Sequence, residues 1–440
     1  MGSALARRTG LALLLLLAVL IGGCGGGLAG LNPFKEKEVP LPGDRISIMK
    51  PQDTLEVDSS ASAKPISLPS PHANNSWTQP GGTPSNAPGH LSFKGAGQTA
   101  WSADAGTGSS SDGRLTASPI VVGERVYTLD AKGLVSAFST ANGSRAWRID
   151  LTPENVESRK GFGGGLAYDS DKLIVATGFG TVTALNPADG TVLWSKNSGT
   201  PIRSSPTASQ GKVFFVDTDS RLYCLSVADG SEVWTYRGVS GEVSLLSNVS
   251  PAVAGDTAVV PFSSGDVVAY QIKEGQPAWV DSLSRQRGGS SLASLSDPAR
   301  PVIDNGVVFA VGHSGRMIAI AEKTGERLWT NGVRGTQTPW VAGNTVFVVD
   351  INGKLMALSR DEGKVRWVTD LPESSRWNGP VLADGKLWLA SAVGLLVSAD
   401  PRTGKIDSQS NLDVQVFIAP VVASGRMYIL SDKARLYAIN

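Results

Sequence analysis

The sequence contains little of what metal, redox or nucleic-acid chemistry needs. Only two cysteines, Cys24 and Cys224, and three histidines occur in 440 residues. Two cysteines cannot build a disulfide framework, and three histidines leave little material for a histidine-based metal site. The net charge is only +1 and no Lys/Arg cluster is present, so a nucleic-acid partner is not expected.

Long helical patterns are missing as well. The chain has 51 glycines and 25 prolines, which indicate many turns and therefore β-structure. Hydrophobic residues make up 41% of the sequence and charged residues 18%. This composition excludes general disorder and allows a large buried core.

The one long apolar run predicts a secretory signal. Residues 11–21 follow two arginines and number about a dozen, too few to span a bilayer as a helix. The run ends in IGGC, which resembles the bacterial lipobox, whose cysteine is lipidated and becomes the mature N-terminus. We therefore expect a signal peptide over residues 1–23 and a lipidated N-terminus with a flexible, Gly-, Pro- and Ser-rich tether over residues 24–73. An ordinary signal peptide with a chance cysteine at Cys24 is the alternative.

A repeated pattern fills the remainder of the chain. Segments such as NPADGTVLW, SVADGSEVW and AEKTGERLW recur with a period of about 40 to 50 residues, each with a tryptophan after a turn glycine. Seven tryptophans occupy this place: Trp101, Trp147, Trp194, Trp234, Trp279, Trp329 and Trp367. An eighth copy has Ile406 there, and a small or polar residue followed by proline begins nearly every copy, as in Ser118-Pro119.

Each copy predicts four strands. Three short apolar segments, separated by Gly, Asp or Asn turns, precede the tryptophan segment. Four strands in about 40 to 50 residues are the period of a propeller blade. We predict an all-β fold over residues 74–440, an eight-bladed β-propeller of four-stranded antiparallel blades in which the tryptophans pack between blades.

The two ends of the repeat region predict how the ring closes. The segment that ends at Asn440 supplies only three strands, and the segment around Trp101 supplies the missing fourth. The N- and C-terminal strands should therefore share one blade, which removes open sheet edges. Residues 74–82 precede that strand and are expected to run across the end of the ring.

These repeats resemble the quinoprotein-type propeller repeat, and together with the lipoprotein signal they resemble the BamB family of outer-membrane β-barrel assembly lipoproteins. The resemblance covers Cys24 and residues 74–440. It implies a non-catalytic scaffold without cofactor or metal, lipid-anchored in the outer membrane and facing the periplasm. The implied partners are a BamA-like barrel protein and other assembly lipoproteins, with unfolded barrel precursors as further candidates.

Two segments resemble the loops with which that family docks on the polypeptide-transport domains of BamA: GEVSLLSNVSPAV (241–253) and SLSDPARPVIDNGVVFA (294–310). When the docking residues of the family are transferred to this sequence by the resemblance, they fall on Val243, Leu245, Leu246, Asp297 and Arg300. The surface is more apolar and less acidic than the family pattern, because Leu246 or Ser247 stands in place of an arginine and Ala299 or Arg300 in place of an acidic residue. Two leucines in a polar connection also indicate a partner contact by themselves, unless they tuck under the ring.

Two other functions stay open. Quinoprotein dehydrogenases share the repeat, but they carry an adjacent cysteine pair, a calcium site and long insertions, whereas Cys224 stands alone in RLYCLSV, the setting of a buried strand. A periplasmic propeller that binds a peptide or sugar at one mouth is the other alternative. Trp340 and Trp377 are its candidate contact residues.

Overall fold

The computed structural model describes residues 55–95, 97–238, 249–284, 298–372 and 376–440. In these ranges the chain is nearly all β-structure, with one short helix, α1 (Ser59–Ser62), and one 3-10 turn (Ser158–Gly161). None of the helices described there has the length and apolar character needed to cross a membrane.

Eight antiparallel sheets form the blades of a ring, which confirms the predicted eight-bladed propeller. Blade 1 comprises β3 (Ile120–Val122), β4 (Arg125–Leu129), β5 (Leu134–Ser139) and β6 (Arg145–Asp150), with β1 (Ser76–Trp77) added beside β3. Blade 2 comprises β7 (Gly164–Asp169), β8 (Lys172–Thr177), β9 (Thr181–Leu185) and β10 (Val192–Asn197). Blade 3 comprises β11 (Thr207–Ser209), β12 (Lys212–Val216), β13 (Arg221–Ser226) and β14 (Glu232–Arg237). Blade 4 comprises β15 (Ala252–Ala254), β16 (Thr257–Pro261), β17 (Asp266–Gln271) and β18 (Pro277–Ser282).

The second half of the ring repeats this order. Blade 5 comprises β19 (Val302–Asp304), β20 (Val307–Gly312), β21 (Arg316–Ala321) and β22 (Arg327–Asn331). Blade 6 comprises β23 (Trp340–Ala342), β24 (Thr345–Val349), β25 (Lys354–Ser359) and β26 (Val365–Asp370). Blade 7 comprises β27 (Trp377–Ala383), β28 (Lys386–Ser391), β29 (Leu395–Ala399) and β30 (Ile406–Asn411). Blade 8 comprises β31 (Val421–Ala423), β32 (Arg426–Leu430), β33 (Arg435–Ile439) and β2 (Thr99–Asp104).

Blade 8 joins the two ends of the repeat region, as predicted. Strand β2 pairs antiparallel with β33, with Trp101 opposite Ala438 and Asp104 opposite Arg435. The last blade thus obtains its outer strand from the start of the ring, and no blade has to leave its third strand unpaired.

Position within a blade decides how much of each strand is buried. First strands of neighbouring blades contact each other and surround the central channel. Second and third strands lie between blades and are mostly apolar: every residue of β24 is buried, and so is every residue of β29. Fourth strands such as β14 form the rim and are mostly exposed. Sheets covered on both faces read as continuous apolar runs, which is why the middle strands were visible in the sequence.

The tryptophans of the fourth strands tie each blade to the next one. In all seven copies the indole Nε1–H donates to a carbonyl in the turn between the third and fourth strands of the following blade, over 2.7–3.1 Å. The pairs are Trp101–Thr140, Trp147–Pro187, Trp194–Val227, Trp234–Ile272, Trp279–Glu322, Trp329–Arg360 and Trp367–Pro401. At seven of the eight junctions the repeat thus joins blades by one hydrogen bond and one partly or fully buried indole ring.

The recurring turn glycine has a second role that the sequence did not reveal. In the seven following turns a Cβ on this glycine would come within 2.4–2.7 Å of side-chain atoms of the tryptophan of the preceding blade. The glycines are Gly143, Gly190, Gly230, Gly275, Gly325, Gly363 and Gly404. The glycine that precedes six of the tryptophans, and Gly404 before Ile406, therefore makes room for the tryptophan of the preceding blade in addition to forming the turn.

Residues 74–91, which we call the strap, cross the ring at the end where the first strands finish. The predicted course of residues 74–82 agrees with this path. The strap bonds to the blades in order: Asn74 to Val422 in blade 8, β1 to β3 in blade 1, Thr78 to Tyr168 in blade 2, Gln79 to Ala208 in blade 3, Pro84 to Val253 in blade 4, Ser85 to Ile303 in blade 5, Gly89 to Trp340 in blade 6 and Leu91 to Leu382 in blade 7. It therefore supplies partners to backbone groups that the inner strand edges would otherwise bury unpaired.

Gln79 is the most enclosed polar residue of the strap. Its side chain is 1% exposed, and its Nε2 donates to the carbonyls of Ala208 (2.7 Å) and Tyr168 (3.2 Å). Its Oε1 accepts the Ala208 N–H over 3.0 Å. The side-chain amide of Gln79 thus bonds to both backbone groups of Ala208, as a neighbouring strand would.

Replacement Gln79→Ala is expected to lower the free energy of unfolding by about 2–4 kcal/mol, because it leaves the N–H and C=O of Ala208 buried without partners. Urea unfolding followed by tryptophan fluorescence measures this loss. Gln409→Ala, at an exposed position of β30, is the control and should change stability by less than about 0.5 kcal/mol. Equal losses at the two sites would show that the strap does not stabilise the ring.

Residues 55–73 lie along blade 6. The Asp58 N–H donates to Val365 O (2.9 Å), and the Ser67 N–H donates to Asn344 Oδ1 (2.9 Å). Lys64 forms an exposed ion pair with Glu362 (3.1 Å). The segment boundaries expected at residues 23 and 73 stay predictions.

Candidate functional site

A cavity of about 740 Å³ occupies the central channel. Its walls come mainly from blades 1 and 5 to 8, from residues just before the first strands and just after the second ones. Strap residues Trp77, Pro80, Gly81 and Asn86 also line it.

One position of the repeat makes room for this cavity. The residue before the first-strand proline is small in most blades: Ser118, Ser205, Ser250, Thr338, Gly379 and Ala419. Blade 2 has Gly165 at this place, before Leu166. Blade 5 alone has a long, charged side chain there, Arg300. Of these residues, Ser118, Arg300, Thr338, Gly379 and Ala419 line the cavity.

Arg300 is half-buried and lines the cavity. Its Nε has no hydrogen-bond partner, and among the described residues no carboxylate forms an ion pair with its guanidinium. Burial lowers the pKa of Arg300 to about 10, so the group still carries its charge at neutral pH.

The two carboxylates that line the cavity are engaged in their own loops. Asp350 Oδ1 accepts the N–H groups of Asn352 (2.9 Å) and Lys354 (2.7 Å), and its Oδ2 accepts from the Asn352 side chain (3.2 Å). Asp432 Oδ1 accepts from the Ser109 hydroxyl. Both carboxylates thus hold turns of the propeller.

Aromatic side chains form the other part of the wall. Trp77 of the strap stacks on Trp340 of blade 6, with ring centroids 6.4 Å apart. Trp377 is buried, and the Arg114 guanidinium lies 5.6 Å from the centre of the Phe417 ring. The structure therefore brings Trp340 and Trp377, the two candidate contact residues at a propeller mouth, into the same cavity as Arg300.

The expected anchor and most of the expected docking residues lie outside the described residues: Cys24, Val243, Leu245, Leu246 and Asp297. Arg300 is described and lines the channel, so a partner could contact its side chain only by reaching into the cavity. The resemblance of its loop to a docking segment did not indicate this place; the repeat aligns Arg300-Pro301 with Ser118-Pro119, and Ser118 also lines the cavity.

Cys224 is buried in β13, as its sequence setting predicted, and burial raises the pKa of its thiol to about 12. The thiol is therefore protonated and unreactive at neutral pH. Within the part of the chain that the structure describes, no group of three or more His, Cys, Asp or Glu side chains could hold a metal ion.

Comparisons with known proteins agree with the fold. The sequence model of the family described as "Outer membrane protein assembly factor BamB" matches residues 92–159, 131–369 and 367–440. The protein of that name from Shigella dysenteriae is 30% identical over 349 residues, which cover 78% of this chain and 88% of the relative. Among solved structures, BamB from Moraxella catarrhalis (17% identity) superposes with a TM-score of 0.67 over 78% of this chain and 99% of its own.

A quinohemoprotein alcohol dehydrogenase from Comamonas testosteroni is equally similar in shape, with a TM-score of 0.67 and 14% identity over 83% of this chain and 80% of its own. At such identities the structural similarity shows the propeller fold alone. The match of the family model, by contrast, extends over nearly the whole ring. This chain belongs to the BamB family of outer membrane protein assembly factors.

Proposed function

We propose that the protein is a non-catalytic scaffold of the machinery that assembles barrel proteins in the outer membrane. The observation that carries the proposal is the family match over residues 92–440. The relatives that bear the family name are named as assembly factors. The isolated ring also fits positioning of partners, because its blades are joined into one closed surface by the strap and by blade 8.

The anchor in this proposal is a lipid on Cys24, with the ring facing the periplasm. The lipobox-like IGGC segment supports it. Cys24→Ala is the corresponding variant, which should move the protein from the membrane fraction to the soluble periplasmic fraction.

The docking surface in this proposal comprises Val243, Leu245, Leu246 and Asp297, and its partner is a BamA-like barrel protein. The segments that carry these residues connect blade 3 to blade 4 and blade 4 to blade 5. Two adjacent connections can present one continuous contact surface. Apolar side chains in such a surface contribute binding energy when the partner removes them from water.

Co-purification from detergent-solubilised envelopes tests the docking surface. The double variant Leu245→Asp/Leu246→Asp and the single variant Asp297→Arg should each reduce the recovered barrel protein by about tenfold or more, which corresponds to a loss of about 1.4 kcal/mol or more. Val156→Asp is the matched control, because Val156 is an exposed apolar residue in the connection from blade 1 to blade 2. It should leave recovery unchanged.

Circular dichroism and thermal unfolding establish that each variant is folded. If unaltered protein recovers no barrel protein, the scaffold function is wrong. If the docking variants recover as much barrel protein as Val156→Asp does, the function stands and the docking surface is wrong.

A further inference from the structure

We propose that Arg300 forms an anion-binding site in the channel, which takes a small organic molecule with a carboxylate or phosphate group on an aromatic or apolar body. The inference does not depend on the proposed function.

The first argument is the unpaired charge. A charged group that is withdrawn from water is costly unless a partner compensates it, and the Nε of Arg300 is buried without one. Arg300 has no such partner among the described residues, and the two carboxylates of the same cavity hold their own loops. A bound oxyanion would supply the missing acceptors, and the planar guanidinium binds carboxylate and phosphate groups through paired hydrogen bonds.

The second argument is the exception within the repeat. The ring needs no arginine at this position, because the other seven blades close around the channel with Ser, Gly, Thr or Ala. These small residues leave the space into which the one long side chain projects. Among the eight equivalent positions of the repeat, Arg300 is thus the single charged side chain, and Arg114 and Arg376 add two further cationic side chains to the wall of the cavity.

The third argument is the size and the wall of the cavity. A volume of about 740 Å³ lies in the range of small-molecule sites, and the strap lines the cavity at the end of the channel that it crosses. Trp340, Trp377 and Phe417 offer apolar faces to the body of a ligand, while Thr338 of the neighbouring blade supplies a hydroxyl beside the arginine position.

Calorimetric titration of the full-length protein in detergent tests the site with matched probes. Indole-3-acetate should bind, whereas its uncharged isostere indole-3-acetamide should bind at least about tenfold more weakly, because the oxyanion makes the contact with Arg300. Glucose serves as a neutral sugar and should not bind. Displacement of indole-3-acetate by inorganic phosphate would assign the preferred head group to phosphate, and persistence of binding would assign it to carboxylate.

Arg300→Met keeps the length of the side chain and removes its charge. It should weaken binding of indole-3-acetate by about tenfold or more, and Arg300→Lys should retain part of the affinity. Arg145→Met, at an exposed position of β6, is the matched control and should bind as the unaltered protein does.

Stability of the ligand-free protein provides the second readout. Removal of an uncompensated charge should leave the melting temperature of Arg300→Met unchanged or raise it. A marked fall would show that the protein itself holds the guanidinium, and would overturn the proposal. Equal affinity of the acid and the amide, or equal affinity of unaltered protein and Arg300→Met for the acid, would also overturn it.

Discussion

Gly230→Ala should destabilise the protein by about 3–4 kcal/mol, whereas the same change at Gly211 should cost only about 1–2 kcal/mol. Both glycines belong to blade 3 and have the same backbone conformation, with φ of +71° and +72°. An alanine therefore pays the same conformational cost at either position. A Cβ at Gly230 would in addition lie 2.6 Å from the Trp194 ring, whereas a Cβ at Gly211 would meet nothing within 4 Å.

The difference between the two losses of stability measures the contribution of the close contact between Gly230 and Trp194 at the junction of blades 2 and 3. Denaturant unfolding of both proteins, with m-values compared, gives the two losses. The Trp194→Ala background supplies a further check: Gly230→Ala should cost less there, because the ring it collides with is gone, and the two changes should be non-additive. Equal losses at Gly230 and Gly211 in the unaltered background would mean that the turn needs glycine for its backbone conformation only.

The fold was predictable from the sequence because the side chains that form the strands and the junctions recur in successive copies. Each blade repeats a buried pair of mostly apolar strands, and seven of the eight junctions repeat a tryptophan, so the period and the number of blades follow from the sequence. That the two ends share blade 8 was predictable because the C-terminal copy supplies only three strands. The partner of each turn glycine could not be inferred in this way, since a contact between successive copies leaves no mark within either copy.

The strap was predictable only in part, because most of its contacts use backbone atoms. Pro84 and Ser85 bond to Val253 and Ile303 through their carbonyls, and such bonds impose no residue type. The expectation that residues 74–82 cross the end of the ring came from their place before β2, and their order of contacts came from the structure.

Arg300 shows how a resemblance and the internal repeat can point to different places. Its loop resembles a docking segment, whereas its position before Pro301 equals that of Ser118 in blade 1 and Thr338 in blade 6. Those residues line the channel, and so does Arg300. Equivalent positions of the repeat occupy equivalent places in the ring, because the strands of every copy pair in the same way. A loop has no such fixed pairing, so its sequence does not predict its place.

A disulfide between β2 and β33 should give the largest gain in stability, about 6 kcal/mol on the chain-entropy model, because it closes a loop of about 330 residues. Asp104 and Arg435 face each other across these two strands and both are exposed, so Asp104→Cys/Arg435→Cys introduces the bridge at the seam of the ring. Guanidinium unfolding of the oxidised and the reduced forms of the same protein isolates the contribution of the bond.

The matched control is Arg221→Cys/Arg237→Cys in blade 3. These residues occupy the same two places, the start of the third strand and the end of the fourth, but the chain joins them directly and the loop has about 17 residues. The expected gain is about 3 kcal/mol. Blade 8 is the only blade whose fourth strand comes from the distant end of the repeat region, so the excess gain measures what the ring loses when that strand leaves β33. An equal gain from the two bridges would mean that β2 and β33 stay together in the unfolded chain, and that closure of the ring adds no stability of its own.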